Sequence, residues 1–191
     1  MQKLSDGMLL YHGSYMVVDT PDLAKCAARK DFGKGFYLTT SKEQAEDFVR
    51  ASIKKAAAQG LITEDQNFGF VSVFEYHEKD GISKFVYENA DANWLHCIVG
   101  HRKKNTFSAI VDSMKDYDIV AGKIADDRTN ITITTYLVGG YGAIGSESAD
   151  KVCISQLIPE RLKDQYCFRT NEAFECISFV ESEKIWISWK Q

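Results

Sequence analysis

Three short stretches of the sequence carry residue types suited to binding a small ligand. The segment His12–Ser14 follows an apolar run, and a histidine at a strand end can point into a cleft while the next glycine leaves its backbone amide and carbonyl open. In the segment Asp31–Ser41, two glycines bracket a lysine and lead into an apolar, aromatic run, where Tyr37 can present a flat ring from a short strand. The third stretch, Lys163–Phe168, lies far downstream. The first two would supply polar backbone groups and an aromatic face to a bound ligand.

Each stretch also has an ordinary structural explanation. A lone histidine more often caps a strand or is satisfied in the core, and a glycine pair before an aromatic strand is usually a turn. Phe48 falls on the apolar side of the helix that follows, where a core position explains it equally well. The weight of the three stretches comes from their occurrence together and in this order.

The composition predicts one domain with a substantial core. The chain has 191 residues, of which 45% are hydrophobic and 12% aromatic. Its formal net charge of −4 argues against broad electrostatic capture of nucleic acid, though not against a local basic groove.

Localisation is predicted from what the sequence lacks. No run approaches the length of a transmembrane helix, and the polar segment Met1–Gly7 lacks the apolar core of a secretory signal. The five cysteines are scattered, odd in number and without a Cys-x-x-Cys pair. We expect reduced cysteines that pack as small hydrophobes in a cytoplasmic protein with no membrane partner.

Strands are mixed with helices without the regularity of βαβ units, which predicts an α+β fold. The strongest helix is Ser41–Gln59, which opens with a capping box and keeps helical apolar spacing. The run Ile131–Val138 is strand-like by propensity, with a helix as the alternative if tertiary packing overrides it. Further strands are predicted at Met8–Tyr11, Gly69–Tyr76, Ser83–Tyr87, Tyr117–Gly122, Gln165–Arg169, Cys176–Val180 and Lys184–Trp189, and further helices at Pro21–Ala27, Asp91–Val99 and Asp150–Leu157.

Two charged clusters have both a functional and a plain explanation. The basic cluster His101–Lys104 could contact phosphates, but such a cluster is more often a solvated helix end. The cluster Asp126–Arg128 could bind a metal or a ribose, but an exposed turn that partly neutralises itself is commoner. The metal case is weak because no histidine or third acid is spaced to complete a site.

Together, the three stretches resemble the ADP-ribosyltransferase superfamily, in the branch that contains the poly(ADP-ribose) polymerases. That branch carries His-Gly-[Ser/Thr] on an early strand, Phe-Gly-Lys-Gly-[Ile/Phe]-Tyr-[Phe/Leu] in a loop and strand, and an acid at the start of a later strand. This chain has His12–Ser14 and Phe32–Leu38 at the first two places, and the match continues from Ser41 to Phe48. Residues 94–127 resemble a bacterial family of ADP-ribosyltransferase-like proteins of toxin type.

The resemblance implies an ADP-ribosyltransferase-like architecture. Split mixed and antiparallel β-sheets, flanked by helices, would hold an NAD cleft between them. The whole would form a single domain over residues 1–191, with a helical insert around residues 90–130.

At the third place the chain departs from the pattern, because Gln165 stands where the branch usually has an acid. An amide can accept a hydrogen bond from a ribose hydroxyl but carries no charge. Loss of one such preorganised group costs about 3 kcal/mol of transition-state stabilisation. Asp164, Glu160 and Asp126 are unranked candidates for a carboxylate that substitutes.

The remaining roles are implied by the resemblance, with NAD as co-substrate and no metal required. His12 would bind the adenosine ribose hydroxyls and Gly13 the nicotinamide carboxamide, with Ser41 donating to the carboxamide oxygen. Tyr37 would stack on the nicotinamide ring, with Phe48 on the other face. The implied binding residues are His12, Gly13, Ser14, Gly35, Tyr37, Ser41 and Phe48, and the implied catalytic residues are His12, Tyr37 and Gln165.

The function implied is an NAD-dependent mono-ADP-ribosyltransferase that modifies a protein or nucleic-acid acceptor. Glycosidic cleavage would pass through an oxocarbenium-like sugar, and the glutamine argues against synthesis of long chains. A toxin of this type would have an antitoxin or immunity protein as partner. The alternatives are a catalytically weak or dead module that binds NAD or ADP-ribose, an NAD glycohydrolase, and an unrelated α+β domain.

Overall fold

A computed structural model describes residues 1–125 and 127–188. Its strands are β1 (Leu9–Ser14), β2 (Phe36–Thr39), β3 (Phe68–Tyr76), β4 (Lys84–Val86), β5 (Ile119–Lys123), β6 (Asp164–Phe168) and β7 (Ile177–Trp186). Its α-helices are α1 (Lys42–Ala58), α2 (Ala92–Arg102), α3 (Ser108–Ser113), α4 (Asp127–Leu137), α5 (Glu147–Leu157) and α6 (Asn171–Phe174). Short 3-10 turns occupy Leu23–Lys25, Met114–Asp116 and Pro159–Arg161.

The described strands form one mixed sheet in the order β4-β5-β6-β2-β1-β3-β7, which confirms the α+β prediction. Only β4 and β5 run parallel, and every other described pair is antiparallel. The sheet is continuous, where the resemblance implies split sheets. The connection between its two halves is narrow, however, because β1 and β2 pair only where Tyr11 lies opposite Thr39. Beyond that pair the two halves of the sheet diverge.

Helix α1 confirms the strongest helix prediction and lies against β1 and β3. Ser41 is its N-cap, since its Oγ accepts a hydrogen bond from the backbone N–H of Gln44 at 3.3 Å. The stripe that α1 buries is Ala45, Val49, Ile53 and Ala56, at helical spacing. This packing fixes the start of α1 beside the diverging ends of β1 and β2.

Helices α2, α4 and α5 form a helical layer over one core cluster. Trp94 and Ile98 of α2 are fully buried there, with Cys153 of α5. The strand prediction for Ile131–Val138 is wrong and its alternative is correct, since all of this run except Val138 lies in α4. Ile133 and Tyr136 are buried while Ile131 is exposed, a helical spacing that tertiary packing imposes on β-branched residues.

The C-terminal prediction of two strands also needs correction. Residues Ile177–Trp186 form the single strand β7, which pairs along the whole of β3 with one irregularity between Val73 and Phe74. The pairing can continue over this length because β3 is itself nine residues long. Trp189, predicted as part of the last strand, lies outside the described residues.

Candidate functional site

A cleft of ≈ 1210 Å³ opens where β1 and β2 diverge. Its walls come from the ends of these two strands, the loop that joins them, the first turns of α1, and the start of β6. The three predicted stretches therefore meet at one place, since His12, Tyr37 and Gln165 all line this cleft.

His12 bridges the diverging strands. Its Nδ1 lies 2.9 Å from the carbonyl oxygen of Tyr37, so Nδ1 carries the proton and donates. Burial lowers the pKa of His12 to about 4; the hydrogen bond to Tyr37 opposes this shift in part, and the Lys30 charge adds a smaller lowering. The ring is therefore neutral near pH 7, and Nε2 keeps a lone pair that can accept a hydrogen bond.

The Tyr37 hydroxyl ties down the loop that precedes β2. It accepts a hydrogen bond from the backbone N–H of Phe32 at 2.9 Å and donates to the carbonyl oxygen of Gly33 at 2.7 Å. Burial raises the pKa of this phenol well above its ordinary value. The hydroxyl is thus a structural anchor, and the half-buried ring is the part that borders the cleft.

Close packing explains two of the predicted glycines. A Cβ on Gly13 would lie 1.9 Å from the carbonyl oxygen of Ala45, so α1 packs directly on the backbone of β1. A Cβ on Gly35 would lie 2.5 Å from Cys167 Sγ and 2.6 Å from the carbonyl oxygen of Phe168. Both positions need glycine for the fold itself, and both also line the cleft.

The α1 side of the cleft carries an aromatic ring. Phe48 is 42% exposed and lines the cleft, with Lys30 Nζ 5.2 Å from the centroid of its ring, so the core explanation for Phe48 is wrong. Ser14 is buried and also lines the cleft. Ser41 does not line it, since its hydroxyl caps α1, but it is bonded through its N–H to the lining residue Thr39 at 3.1 Å.

Gln165 lies at the cleft wall beside a buried carboxylate. Its Nε2 donates to Asp31 Oδ2 at 3.0 Å and lies 3.4 Å from the carbonyl oxygen of Lys123. Asp31 also binds Arg102, whose Nη2 lies 2.6 Å from Oδ1. Asp31, Arg102 and Gln165 all line the cleft.

None of the three carboxylates proposed as substitutes is shown to reach the cleft. Asp164 is bound by Lys123 Nζ at 2.7 Å and by the backbone N–H of Gln2 at 2.7 Å, and it does not line the cleft. It precedes Gln165 on β6, so the alternation of side chains along a strand directs it to the other face of the sheet. Glu160 is exposed in a 3-10 turn and does not line the cleft either. Asp126 lies outside the described residues, and so do the side chains of the rest of its acidic cluster.

The charged side chains of the cleft are nearly balanced in sign, with a small positive excess, although the whole chain carries a formal charge of −4. Five cationic side chains and four carboxylates line it among the described residues. The cationic residues are Lys25, Arg29, Lys30, Arg50 and Arg102, and the carboxylates are Asp19, Asp22, Asp31 and Asp47. Arg29 and Arg50 are exposed, so their charges face the solvent at the rim. Asp19, Asp22 and Asp47 are exposed on the same rim, so the net positive charge of the lining is small.

The basic cluster at the end of α2 does not form a continuous phosphate track. Burial lowers the pKa of His101 to about 4, and its ring packs on Gly33, where a Cβ would lie 2.8 Å from Cε1. Arg102 turns inward to Asp31, whereas Lys103 and Lys104 are exposed. The cluster therefore divides between the interior and the solvent.

The chain was compared with known protein families, curated proteins and solved structures. A family model described as "Protein of unknown function (DUF3990)" matches residues 8–179. The chain belongs to the DUF3990 family. No curated protein and no solved structure matches it.

The family match spans the whole of the cleft wall described above, from β1 to β6. Within the described residues, no group of three or more His, Cys, Asp and Glu side chains could hold a metal ion. No helix in the described part of the chain is long and apolar enough to cross a membrane.

Sequence reasoning missed Asp31 and Arg102. Asp31 directly precedes the glycine motif, and the absence of an acid at position 165 could have directed attention to a neighbouring carboxylate. Nothing in the sequence, however, links residues that lie 71 and 134 positions apart in the chain. Sequence reasoning also missed the charged residues that line the cleft, because they become neighbours only when the loop before β2 folds over α1.

Proposed function

We propose that this protein binds NAD in the cleft between β1 and β2 and transfers a single ADP-ribose unit to a protein or nucleic-acid acceptor. The observation that carries the proposal is the convergence of His12, Tyr37 and Gln165, from three distant stretches, on one cleft. A volume of ≈ 1210 Å³ exceeds that of an ordinary small-molecule pocket and suits a dinucleotide.

The cleft offers a suitable partner to each part of NAD. The rings of Tyr37 and Phe48 provide aromatic surfaces for the nicotinamide. His12 Nε2 can accept a hydrogen bond from a ribose hydroxyl because Nδ1 is engaged with Tyr37. The exposed Arg29 and Arg50 favour the diphosphate electrostatically.

In this proposal, Gln165 acts on the ribose that reacts. Cleavage of the bond between nicotinamide and ribose builds positive charge on the sugar, as in glycoside hydrolysis. The bond breaks with its electron pair going to the nicotinamide nitrogen, and a nucleophilic atom of the acceptor then forms the new bond to the sugar. Gln165 would accept a hydrogen bond from a ribose hydroxyl and so orient the sugar. A neutral amide supports slow, single transfer, and a toxin with an antitoxin partner is one biological setting for such an enzyme.

A second candidate is a module that binds NAD or ADP-ribose without turnover. One observation favours it, since the carboxylate to which Gln165 donates, Asp31, is already engaged by Arg102. The two candidates share the binding site and differ only in turnover.

The test is release of free nicotinamide from NAD by the purified protein, with and without cell lysate as a source of acceptor. Release that requires lysate supports the transferase, and NAD labelled in the adenylate part then identifies the acceptor. Release without lysate makes the protein an NAD glycohydrolase. Binding without release makes it a binding module.

A variant pair shows whether any signal comes from this cleft. Tyr37→Ala should weaken NAD binding about tenfold to a hundredfold, the range expected when a stacking aromatic is removed. Tyr141→Ala is the control, because Tyr141 is also half-buried and packs against the same core cluster but does not line the cleft. Equal NAD affinity in the wild type and Tyr37→Ala would refute the proposed site.

A further inference from the structure

Asp31 is a buried carboxylate whose two oxygens are both fully engaged. Its Oδ1 accepts hydrogen bonds from Nε and Nη2 of Arg102, at 3.1 and 2.6 Å. Its Oδ2 accepts from the backbone N–H of Ala125 at 3.1 Å and from Nε2 of Gln165 at 3.0 Å. A carboxylate with this many donors is poorly suited to take a proton from a substrate. Its effect on a bound ligand must pass through a neighbour.

Two partners of Asp31, Arg102 and Gln165, line the cleft, and the proposed function assigns Gln165 to the reacting sugar. The Gln165 amide has only one orientation that satisfies its surroundings. The arm that faces Asp31 Oδ2 and the carbonyl oxygen of Lys123 meets two acceptors, so this arm is the NH₂ group. The other arm, Oε1, is therefore the acceptor that remains for a ligand in the cleft. Without Asp31, the amide would lose the closer of the two acceptors that fix this orientation.

We propose that Asp31 is the positioning residue of this site, which aims Gln165 Oε1 at the ligand and strengthens it as a hydrogen-bond acceptor. A hydrogen bond from Nε2 to a negative oxygen polarises the amide, so Oε1 gains negative character. The resemblance implies a negative charge at position 165. In this chain the negative charge is on Asp31, in the loop before β2, which is hydrogen-bonded to Gln165. This inference rests on the proposed function and deepens it.

The competing explanation is that Asp31 only joins parts of the fold. Its bonds to Arg102 and Ala125 link the loop before β2 to α2 and to the end of β5. Either explanation predicts that removal of Asp31 lowers stability. A discriminating test must therefore change the hydrogen bond between residues 31 and 165 while the contacts with Arg102 stay in place.

Gln165→Glu makes this change and can be controlled by pH. When protonated, the introduced side chain has nearly the shape of glutamine, and its OH can donate to Asp31 Oδ2 as Nε2 does. When ionised, the same side chain has no donor and places a second negative charge beside Asp31, which raises the pKa of the new carboxyl. Positioning by Asp31 therefore predicts that this variant works best at low pH.

The groups that face Asp31 and Gln165 should not obscure the titration of the introduced carboxyl. They are Arg102, His101 and Cys97 of α2, Tyr37 of β2 and Cys167 of β6, with Lys123 bound to Asp164 on the other face of the sheet. Burial raises the pKa of Cys97 to about 11 and of Cys167 to about 12, and it lowers that of His101 to about 4. The introduced carboxyl should therefore dominate the difference between variant and wild type from about pH 5.5 to 8.5.

The experiment measures nicotinamide release and thermal unfolding of the wild type, Gln165→Glu and Asp31→Asn from about pH 5.5 to 8.5. The ratio of kcat in Gln165→Glu to kcat in the wild type should fall about tenfold as the pH rises. The Tm of the ligand-free variant should fall relative to the wild type over the same range. Asp31→Asn should lose about tenfold to a hundredfold in kcat, with KM within about threefold, because a misdirected group affects the reacting geometry. Asp65→Asn, at an exposed aspartate that does not line the cleft, is the control and should match the wild type.

Contrary outcomes separate this inference from the proposed function. An active wild type with a kcat ratio that is constant or rises with pH overturns the positioning role alone, because an ionised acid at position 165 would then act unaided. Asp31→Asn that folds and keeps wild-type kcat overturns it as well. A wild type that neither binds nor cleaves NAD overturns the proposed function, and with it the positioning of a reacting group. The Tm measurements would in that case still report the coupling between residues 31 and 165.

Discussion

The loop before β2 and the loop between α4 and α5 are fixed by the same device, a buried tyrosine hydroxyl beside a buried carboxylate. In the first loop, the Tyr37 hydroxyl joins the backbone of Phe32 and Gly33. In the second, the Tyr136 hydroxyl accepts from the backbone N–H of Gly145 at 2.8 Å and donates to Asp150. The two loops differ in what surrounds them.

The two carboxylates show the difference most clearly. Asp150 binds Tyr136 and His96, whose Nε2 lies 2.7 Å from Oδ2, and it does not line the cleft. Asp31 is equally buried, but its partner Gln165 is part of the cleft wall. Similar hydrogen-bonded networks thus serve stability in one place and a ligand site in the other, and position relative to the cleft decides which.

The largest expected effect comes from Asp150→Ala. This change removes a buried carboxylate and leaves the Tyr136 hydroxyl and the His96 ring without their partner, so stability should fall by about 3 kcal/mol. Urea unfolding measures the loss, and NAD affinity of the folded fraction should stay within about threefold of the wild type. Asp112→Ala is the control, since its ion pair with Lys115 is exposed and should contribute little. A tenfold loss of NAD affinity in folded Asp150→Ala would contradict the conclusion that Asp150 serves stability alone.

A pair of glycine substitutions should separate the two loops next. Gly33 has φ +83° and its Cβ would meet the His101 ring at 2.8 Å, so Gly33→Ala combines backbone strain with a clash and should cost about 2 kcal/mol. Gly139 has φ +78° but its nearest neighbour would be the carbonyl oxygen of Gly142 at 3.5 Å, so Gly139→Ala should cost about 1 kcal/mol from strain alone.

The readouts for this pair are Tm and NAD affinity. Gly33→Ala should weaken NAD binding as well as stability, because the displaced loop carries Asp31 and leads into Tyr37. Equal effects of the two substitutions on NAD affinity would contradict the assignment of the first loop to the ligand site.

The two hydroxyls allow a finer comparison. Tyr37→Phe and Tyr136→Phe each remove one hydroxyl that makes two hydrogen bonds, so each should cost about 1–2 kcal/mol of stability. Only Tyr37→Phe should also weaken NAD binding, by a few fold, since the ring remains and only the loop relaxes. Isothermal titration with NAD checks this, and a larger loss in Tyr136→Phe would reverse the roles of the two loops.

The parts of this protein that local chemistry dictates could be predicted from the sequence. The cap and apolar spacing of α1 located it almost to the residue, because both signals lie within one helix. The prediction for α4 failed at first choice because its β-branched residues prefer strands until Ile133 and Tyr136 find the helical core. Phe48 was ambiguous because helical periodicity places a residue on a face but does not reveal that the face borders a cleft.

The candidate site divides in the same way. His12 and Tyr37 stand in local motifs, so their presence in one cleft could be anticipated from the resemblance. The carboxylate beside Gln165 could not, because the hydrogen bond from Gln165 to Asp31 depends on β2 and β6 pairing antiparallel and on α2 placing Arg102 beside the loop. Such a contact is a property of the assembled sheet and no single stretch encodes it.

The smallest expected effect is a pH dependence of stability that arises on the cleft side. Burial lowers the pKa of both His12 and His101 to about 4, against about 6.5 in an unfolded chain. Between these values the unfolded state binds more protons than the folded state, so stability is fully present above about pH 6.5 and is lost as the pH falls toward about 4.

His12→Gln isolates the contribution of one of these histidines. Glutamine cannot titrate, so the variant should lose less stability than the wild type between about pH 7 and pH 5. The difference should be only about 1 kcal/mol, because the His12 ring borders the open cleft, where solvent screens its charge. Urea unfolding at the two pH values measures the difference. The His101→Gln variant should show a change of the same sign, and a variant slope equal to that of the wild type would mean that the pKa of His12 is the same in the folded and unfolded states, about 6.5. In that case Nε2 would become a donor below about pH 6.5, and the cleft would there select a ligand acceptor where we infer a donating ribose hydroxyl.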